Sequence, residues 1–171
     1  VNPYGSFVQW KELKITLYDN SSGEAVNVVT IYLPAEDAGW ECYSELFYNP
    51  KALLYNEERG LFAFTYQAWK YSRIGYYNYQ STMKEGLAVF KIDLEAENNQ
   101  EKLVYKGSLS NISSEGQNTS DWNEYYDSYF TFINRGVQIG DYIYTVSDRI
   151  ITSYNIDTLA IVNRLDLYNL D

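Results

Sequence analysis

The chain has 171 residues, and its 23 acidic against 13 basic side chains leave a net charge near −10. That charge opposes a phosphate-backbone partner or an anionic membrane surface, because both require clustered Lys and Arg. With no His and one Cys, Cys42, the chain excludes the usual zinc ligand sets and an intrachain disulfide, while 46% apolar and 18% aromatic side chains supply a core and favour strands.

The first strand signal is Leu13 to Asp19, followed by a polar turn from Asn20 to Ala25 and a second run, Val28 to Leu33. Ala52-Leu53-Leu54-Tyr55 and Leu61 to Tyr66 then flank Asn56-Glu57-Glu58-Arg59-Gly60, a hairpin whose Gly supplies the left-handed position of the turn. Gln67 to Gly86 reads as a long connection rich in Tyr. Leu87 to Asp93, a polar turn from Leu94 to Glu101, and Leu103-Val104-Tyr105 repeat the opening grammar. A second long connection, Asn111 to Ser128, leads into Gly136 to Ile139, a two-residue turn at Gly140-Asp141, and Tyr142 to Val146. The last pair is Ile150 to Asp157 and Ile161 to Leu165. No 18-residue apolar stretch predicts a membrane crossing, and a chain opening on Val1 without a leader reads as part of a longer protein.

A strand ending in Asp, a polar turn and a second strand thus occur three times, at Asp19, Asp93 and Asp157. The last two copies are each preceded by a hairpin. This predicts an all-β fold of antiparallel four-stranded meanders forming part of a β-propeller, about two and a half blades in all. The predicted division is a partial blade at 1–40, a blade at 41–110, and a linker loop with a further blade at 111–171. Ring closure typically takes about four to eight blades, so this length does not close a ring alone. Unpartnered sheet faces predict self-association.

The run Arg135 to Asp148, together with Tyr43-Ser44-Glu45, Tyr48-Asn49-Pro50-Lys51-Ala52 and Ile156-Asp157-Thr158-Leu159, resembles the C-terminal part of a secreted bacterial β-propeller family distantly related to WD40 repeats. The resemblance extends over about Leu13 to Leu167, and Ile139 to Asp148 is its most distinctive piece. It implies an exported or surface-attached bacterial protein and carries no catalytic residues with it. Pro50 stands where the family pattern commonly has His.

Three chemical readings follow from the residues. Asp19, Asp93 and Asp157 read either as a ring of carboxylates or as turn caps accepting backbone N–H groups. Asp121-Trp122-Asn123-Glu124-Tyr125-Tyr126-Asp127 offers oxygen ligands from Asp121, Asn123 and Asp127 for calcium, but without the glycine and spacing of a helix-loop-helix site, so a solvated acidic loop is the alternative. Trp69, Tyr71, Tyr76, Tyr77 and Tyr79, with Lys70, Arg73 and Lys84, form an aromatic contact surface, or else extend two strands into a longer hairpin. Trp122, Tyr125 and Tyr126 belong to the same reading. Cys42 has acidic neighbours that raise its pKa and leave it a packed or idle thiol.

The expected function is non-catalytic recognition or scaffolding by an exported, secreted or surface-held bacterial protein, binding a surface glycan or protein through aromatic loops, with no cofactor unless calcium. Two further readings are part of an extracellular hydrolase with carboxylate-based catalysis, and a purely structural module.

Overall fold

A computed structural model describes residues 12–34, 40–73, 79–111, 117–118 and 130–169, and the backbone alone of 79–81 and 117–118. Its strands are β1 (Leu13–Asp19), β2 (Val26–Leu33), β3 (Trp40–Tyr43), β4 (Leu54–Asn56), β5 (Leu61–Arg73), β6 (Tyr79–Ile92), β7 (Leu103–Leu109), β8 (Gln117–Asn118), β9 (Arg135–Ile139), β10 (Tyr142–Val146), β11 (Ile150–Asn155) and β12 (Ile161–Asp166). All strand pairs are antiparallel. They make a β1–β2 hairpin, a central sheet in the order β3-β5-β6-β7, and a four-stranded meander, β9 to β12. The all-β fold of antiparallel meanders expected from the sequence is what forms.

The central sheet departs from a plain meander at its first strand. β3 pairs with Gln67 to Lys70 of β5, and β4 with Leu61 to Ala63, so two short strands share one edge. Two 3-10 turns, Glu45–Phe47 and Pro50–Ala52, bridge them. Ser44 fixes the first: its Oγ accepts from Leu46 N and donates to Thr65 O at 2.6 Å. Asn49 caps the second by accepting from Lys51 N, and Pro50 takes the first position, where a missing N–H costs nothing. Ala52, read from sequence as strand, belongs to this turn.

Gln67 to Arg73 and Tyr79 to Gly86 are strand, not loop. β5 and β6 stay in register from Leu61↔Lys91 to Arg73↔Tyr79, a hairpin of 13- and 14-residue strands. The aromatic and small residues of Ala68-Trp69-Lys70-Tyr71 keep the period-2 alternation of Leu61 to Tyr66, so the strand continues where Tyr content had suggested a loop.

Because Leu61 to Phe64 and Leu87 to Phe90 are covered on both faces, their alternation is apolar on both. Phe64, Tyr66, Ala68, Ala88 and Phe90 face the β1–β2 hairpin, where Leu13, Val29 and Leu33 complete a core. Leu61, Ala63, Leu87 and Val89 face the last meander and pack with Ile143, Tyr154 and Ile156. Phe90, fully buried, has its ring 4.8 Å from Phe62, 5.7 Å from Phe64 and 5.3 Å from Tyr105. The three units therefore stack face on face, with the central sheet in the middle. The outer face of the last meander stays open, with Val137, Ile139, Tyr142 and Leu165 exposed.

Candidate functional site

Strand alternation and register place Tyr43, Gln67, Glu41, Trp69 and Tyr71 on one face of the central sheet. Tyr43 lies opposite Gln67 and Glu41 opposite Trp69; Tyr71 follows two residues on, beyond the last β3 pair at Trp40↔Lys70. Tyr71 is 61% exposed, and Ser72 and Arg73 are exposed beside it, so the end of β5 carries these side chains into solvent.

At the root of this face lies a polar cleft of about 160 Å³ lined by Tyr43, Glu45, Thr65, Gln67 and Asn134, among others. Tyr43, one of its lining residues, stands 6.3 Å from Tyr48, and Phe47 meets Tyr48 edge-on at 6.4 Å. Glu45, in the lining, forms a bidentate pair with Arg135, joining the turn after β3 to β9. Hydrogen bonds from Arg135 and then Asn49 hold the Glu45 carboxyl well below its usual range, at about 2. A carboxylate held so low orients donors but does not protonate a leaving group, the opposite of what a glycosidase acid requires.

The hairpin root is anchored by a buried polar network. Glu85, inside the protein on β6, accepts from Ser110 Oγ at 2.7 Å, Asn111 N at 3.3 Å and Ile133 N at 3.1 Å. Asn111 Oδ1 accepts from Thr145 Oγ1 at 3.3 Å and Thr152 Oγ1 at 3.0 Å, and its Nδ2 donates to Thr131 O at 3.1 Å. Arg164 Nη2 reaches Asn111 O at 3.1 Å, and Tyr154 OH donates to Ser110 O at 3.1 Å. The central sheet and three strands of the last meander are thereby tied through one Asn. Sequence reading assigned Asn111 to a linker; in the structure it is buried and hydrogen-bonded.

The aspartates divide. Asp19 Oδ1 accepts from Ser21 N at 2.8 Å, which lowers its pKa, and Asp93 Oδ1 accepts from Glu95 N at 3.2 Å. Both cap their own turns. In the third copy the cap is Asn155, whose Oδ1 accepts from Asp157 N at 3.1 Å and Thr158 N at 3.0 Å. The strand ends two residues before Asp157 because Ile156 turns into the core and donates its N–H to Asp141 O. Asp157 instead lies 3.6 Å from Arg59, which also pairs with Asp141, while Asn56 donates to Gln138 Oε1 at 3.0 Å. These contacts cross between the two meanders beside β4 and β9, as Glu45–Arg135 does.

Cys42 is buried with its Sγ 3.7 Å from Leu33 O, and its pKa is pushed up to about 11. Burial is the main cause, with a smaller push from Glu12. Tyr79 opens β6 opposite Arg73. Tyr76, Tyr77, Asp121, Trp122, Asn123, Tyr125, Tyr126 and Asp127 lie outside the described residues. Tyr43, Tyr48 and the Glu45–Arg135 pair were missed as site residues; the signal available was the density of aromatic and acidic residues in Tyr43 to Tyr48.

A family model described as "Beta propeller domain" matches residues 4–159. No curated protein and no solved structure is significantly similar to the chain.

Proposed function

The chain belongs to the β-propeller domain family, and from that premise we propose that it is a non-catalytic recognition module of an exported bacterial protein, binding a surface glycan or protein through the aromatic face of the β5–β6 hairpin. The reading rests on one observation: Trp69 and Tyr71 share a face with Tyr43 and Gln67, which line the polar cleft. Rings that offer a flat apolar surface beside amide and carboxylate groups suit sugars, whose faces are apolar and whose hydroxyls need partners, and they suit protein epitopes for the same reason.

The root of the face is anchored. Glu85, two residues from Met83 and opposite Gln67, holds the hairpin root through three accepted hydrogen bonds, which supports a backbone fixed before a ligand arrives and a smaller entropy loss on binding. Placement outside the cell rests on the likeness of the Ile139 to Asp148 segment to secreted bacterial propellers.

The test is binding of the purified chain to a panel of bacterial and host glycans and surface extracts, beside a Trp69→Ala/Tyr71→Ala variant of matched fold. Truncating two contact aromatics at a hot spot weakens binding by about 2 kcal/mol or more, some thirtyfold. Binding undiminished in the variant refutes this placement, and no binding by either protein moves the role to scaffolding.

A further inference from the structure

Resting on the recognition reading above, which leaves glycan and protein open, we propose that the polar cleft is the end subsite of that face. It takes the terminal ring of an uncharged glycan, whose hydroxyls hydrogen-bond to Tyr43, Thr65 and Gln67 while the next ring lies along Trp69.

On this face of β5 the side chains run Tyr71, Trp69, Gln67, Thr65 and Ala63 at two-residue intervals, about 7 Å apart. Exposure falls along the row: Tyr71 lies in solvent, Trp69, Gln67 and Thr65 are half-buried, and Ala63 is fully buried in the core shared with the last meander. The row therefore leads from solvent to a blind end, where Ile133 and Asn134, just before β9, join Thr65 and Gln67 in the lining. A glycan lying along it places its last ring at Gln67 and Thr65 and goes no further. The cleft volume of about 160 Å³ is that of about five waters in the liquid, room for a single ring, and lies below the roughly 300–1,000 Å³ of pockets that enclose drug-sized ligands.

The chemistry of the lining selects an uncharged, hydroxyl-rich group. Among the described residues, the Tyr43 hydroxyl, the Thr65 hydroxyl and the Gln67 amide make no hydrogen bond within the protein, and each can both donate and accept. Gln67 has Tyr43 opposite it on β3 and Trp69 next along its own face, so a polar centre is flanked by two rings that suit the apolar faces of sugars. A protein side chain would bring one polar group to this set, whereas a sugar ring brings several hydroxyls at once. The charges here are spent on one another. Glu45, the one charged residue in the lining among the described residues, accepts from Arg135 through both oxygens and from Asn49 Nδ2 at 2.6 Å; Arg135 Nη1 also donates to Asn134 O at 3.0 Å. A ligand ammonium would have to displace Arg135, and a ligand carboxylate or sulfate would meet a fixed negative charge with no cation in the lining to pair it. The net charge near −10 opposes an anion at longer range as well.

The experiment measures binding of the full chain to an array of oligosaccharides ending in glucose, galactose, mannose or N-acetylglucosamine. Each is presented with its terminal ring free, beside a counterpart oxidised at the primary hydroxyl of that ring to a uronic acid. Neutral ends are expected to bind, and their oxidised counterparts about tenfold or more weakly. Thr65→Val removes the hydroxyl while keeping the side-chain shape and the carbonyl that accepts from Ser44, and Gln67→Ala removes the amide; each should weaken binding of neutral ends about fivefold. Matched thermal unfolding curves establish that the variants are folded. Equal binding of oxidised ends overturns the proposal, as does binding that Trp69→Ala/Tyr71→Ala reduces while Thr65→Val and Gln67→Ala leave it unchanged; either result leaves the recognition reading standing. Binding to surface proteins but to no oligosaccharide does the same, and binding undiminished in every variant overturns both.

Discussion

Replacing Gly60 and Gly140 by Ala, one at a time, separates backbone strain from steric exclusion. Both glycines sit in hairpin turns at nearly the same positive φ, 59° and 58°. Ala in that conformation costs about 1–2 kcal/mol, and the stiffer unfolded chain returns about 0.4–1 kcal/mol. At Gly140 nothing lies within 4 Å of an added Cβ, so Gly140→Ala should lose about 1 kcal/mol. At Gly60 the Cβ would overlap the carbonyl oxygen of Ile92, a backbone atom that cannot rotate away. Ile92 N also donates to Gly60 O at 2.6 Å, so moving the strands apart gives up that bond, adding about 1–2 kcal/mol. Gly60→Ala should therefore cost about 3 kcal/mol, and at about 2–4 °C per kcal/mol for a chain of this size its Tm should fall by about 6–12 °C, against about 2–4 °C for Gly140→Ala. Urea and thermal unfolding followed by circular dichroism at fixed protein concentration measures both. Equal losses, or a larger loss at Gly140, would show that contact with Ile92 is not what demands glycine at position 60.

Asn111→Ala should destabilise by about 3 kcal/mol, since it strands the buried Thr145 and Thr152 hydroxyls, and a urea titration against wild type measures it. The Cys42 thiol should resist a disulfide reagent at pH 8 in the folded protein and react at once in denaturant; fast native reaction would contradict its burial. The folded pKa of Glu45 is depressed from 4.5 to about 2, so the stabilisation from its pair with Arg135 is complete above pH about 4.5 and lost as pH falls toward 2. The stability gap between wild type and Glu45→Gln, about 1 kcal/mol at neutral pH for a partly exposed pair, should close across that window. The open face bearing Val137, Ile139, Tyr142 and Leu165 should make the chain associate with rising concentration in light scattering; a monomer at high concentration would contradict this.

The strand grammar was legible wherever alternation ran between turn residues. Gly60 and Gly140 marked their hairpins, and the paired strands after Asp19 and Asp93 could be placed because short acidic side chains cap the turn that follows. The same cue misled at Asp157, because Asn155 performs that task and only tertiary packing of Ile156 reveals it. The long β5–β6 hairpin was legible as one of two options; what decides between them is pairing with β3 and β8, which no local pattern encodes. The Glu85–Asn111 network was hidden for a related reason: its members lie far apart in sequence, and Asn next to Ser in a polar stretch reads as a turn until another sheet closes over it. Aromatic residues in Tyr43 to Tyr48 were visible, but their convergence with Gln67 and Arg135 depends on the 3-10 turns that split the first strand.

The most direct test of recognition is the indole N–H resonance of Trp69, assigned by comparison with Trp69→Phe, followed while a binding glycan or surface protein from the panel is titrated into the labelled chain. The expected result is a saturable shift of Trp69 with the buried Trp40 indole unmoved. Saturable binding that leaves the Trp69 resonance in place would contradict the account.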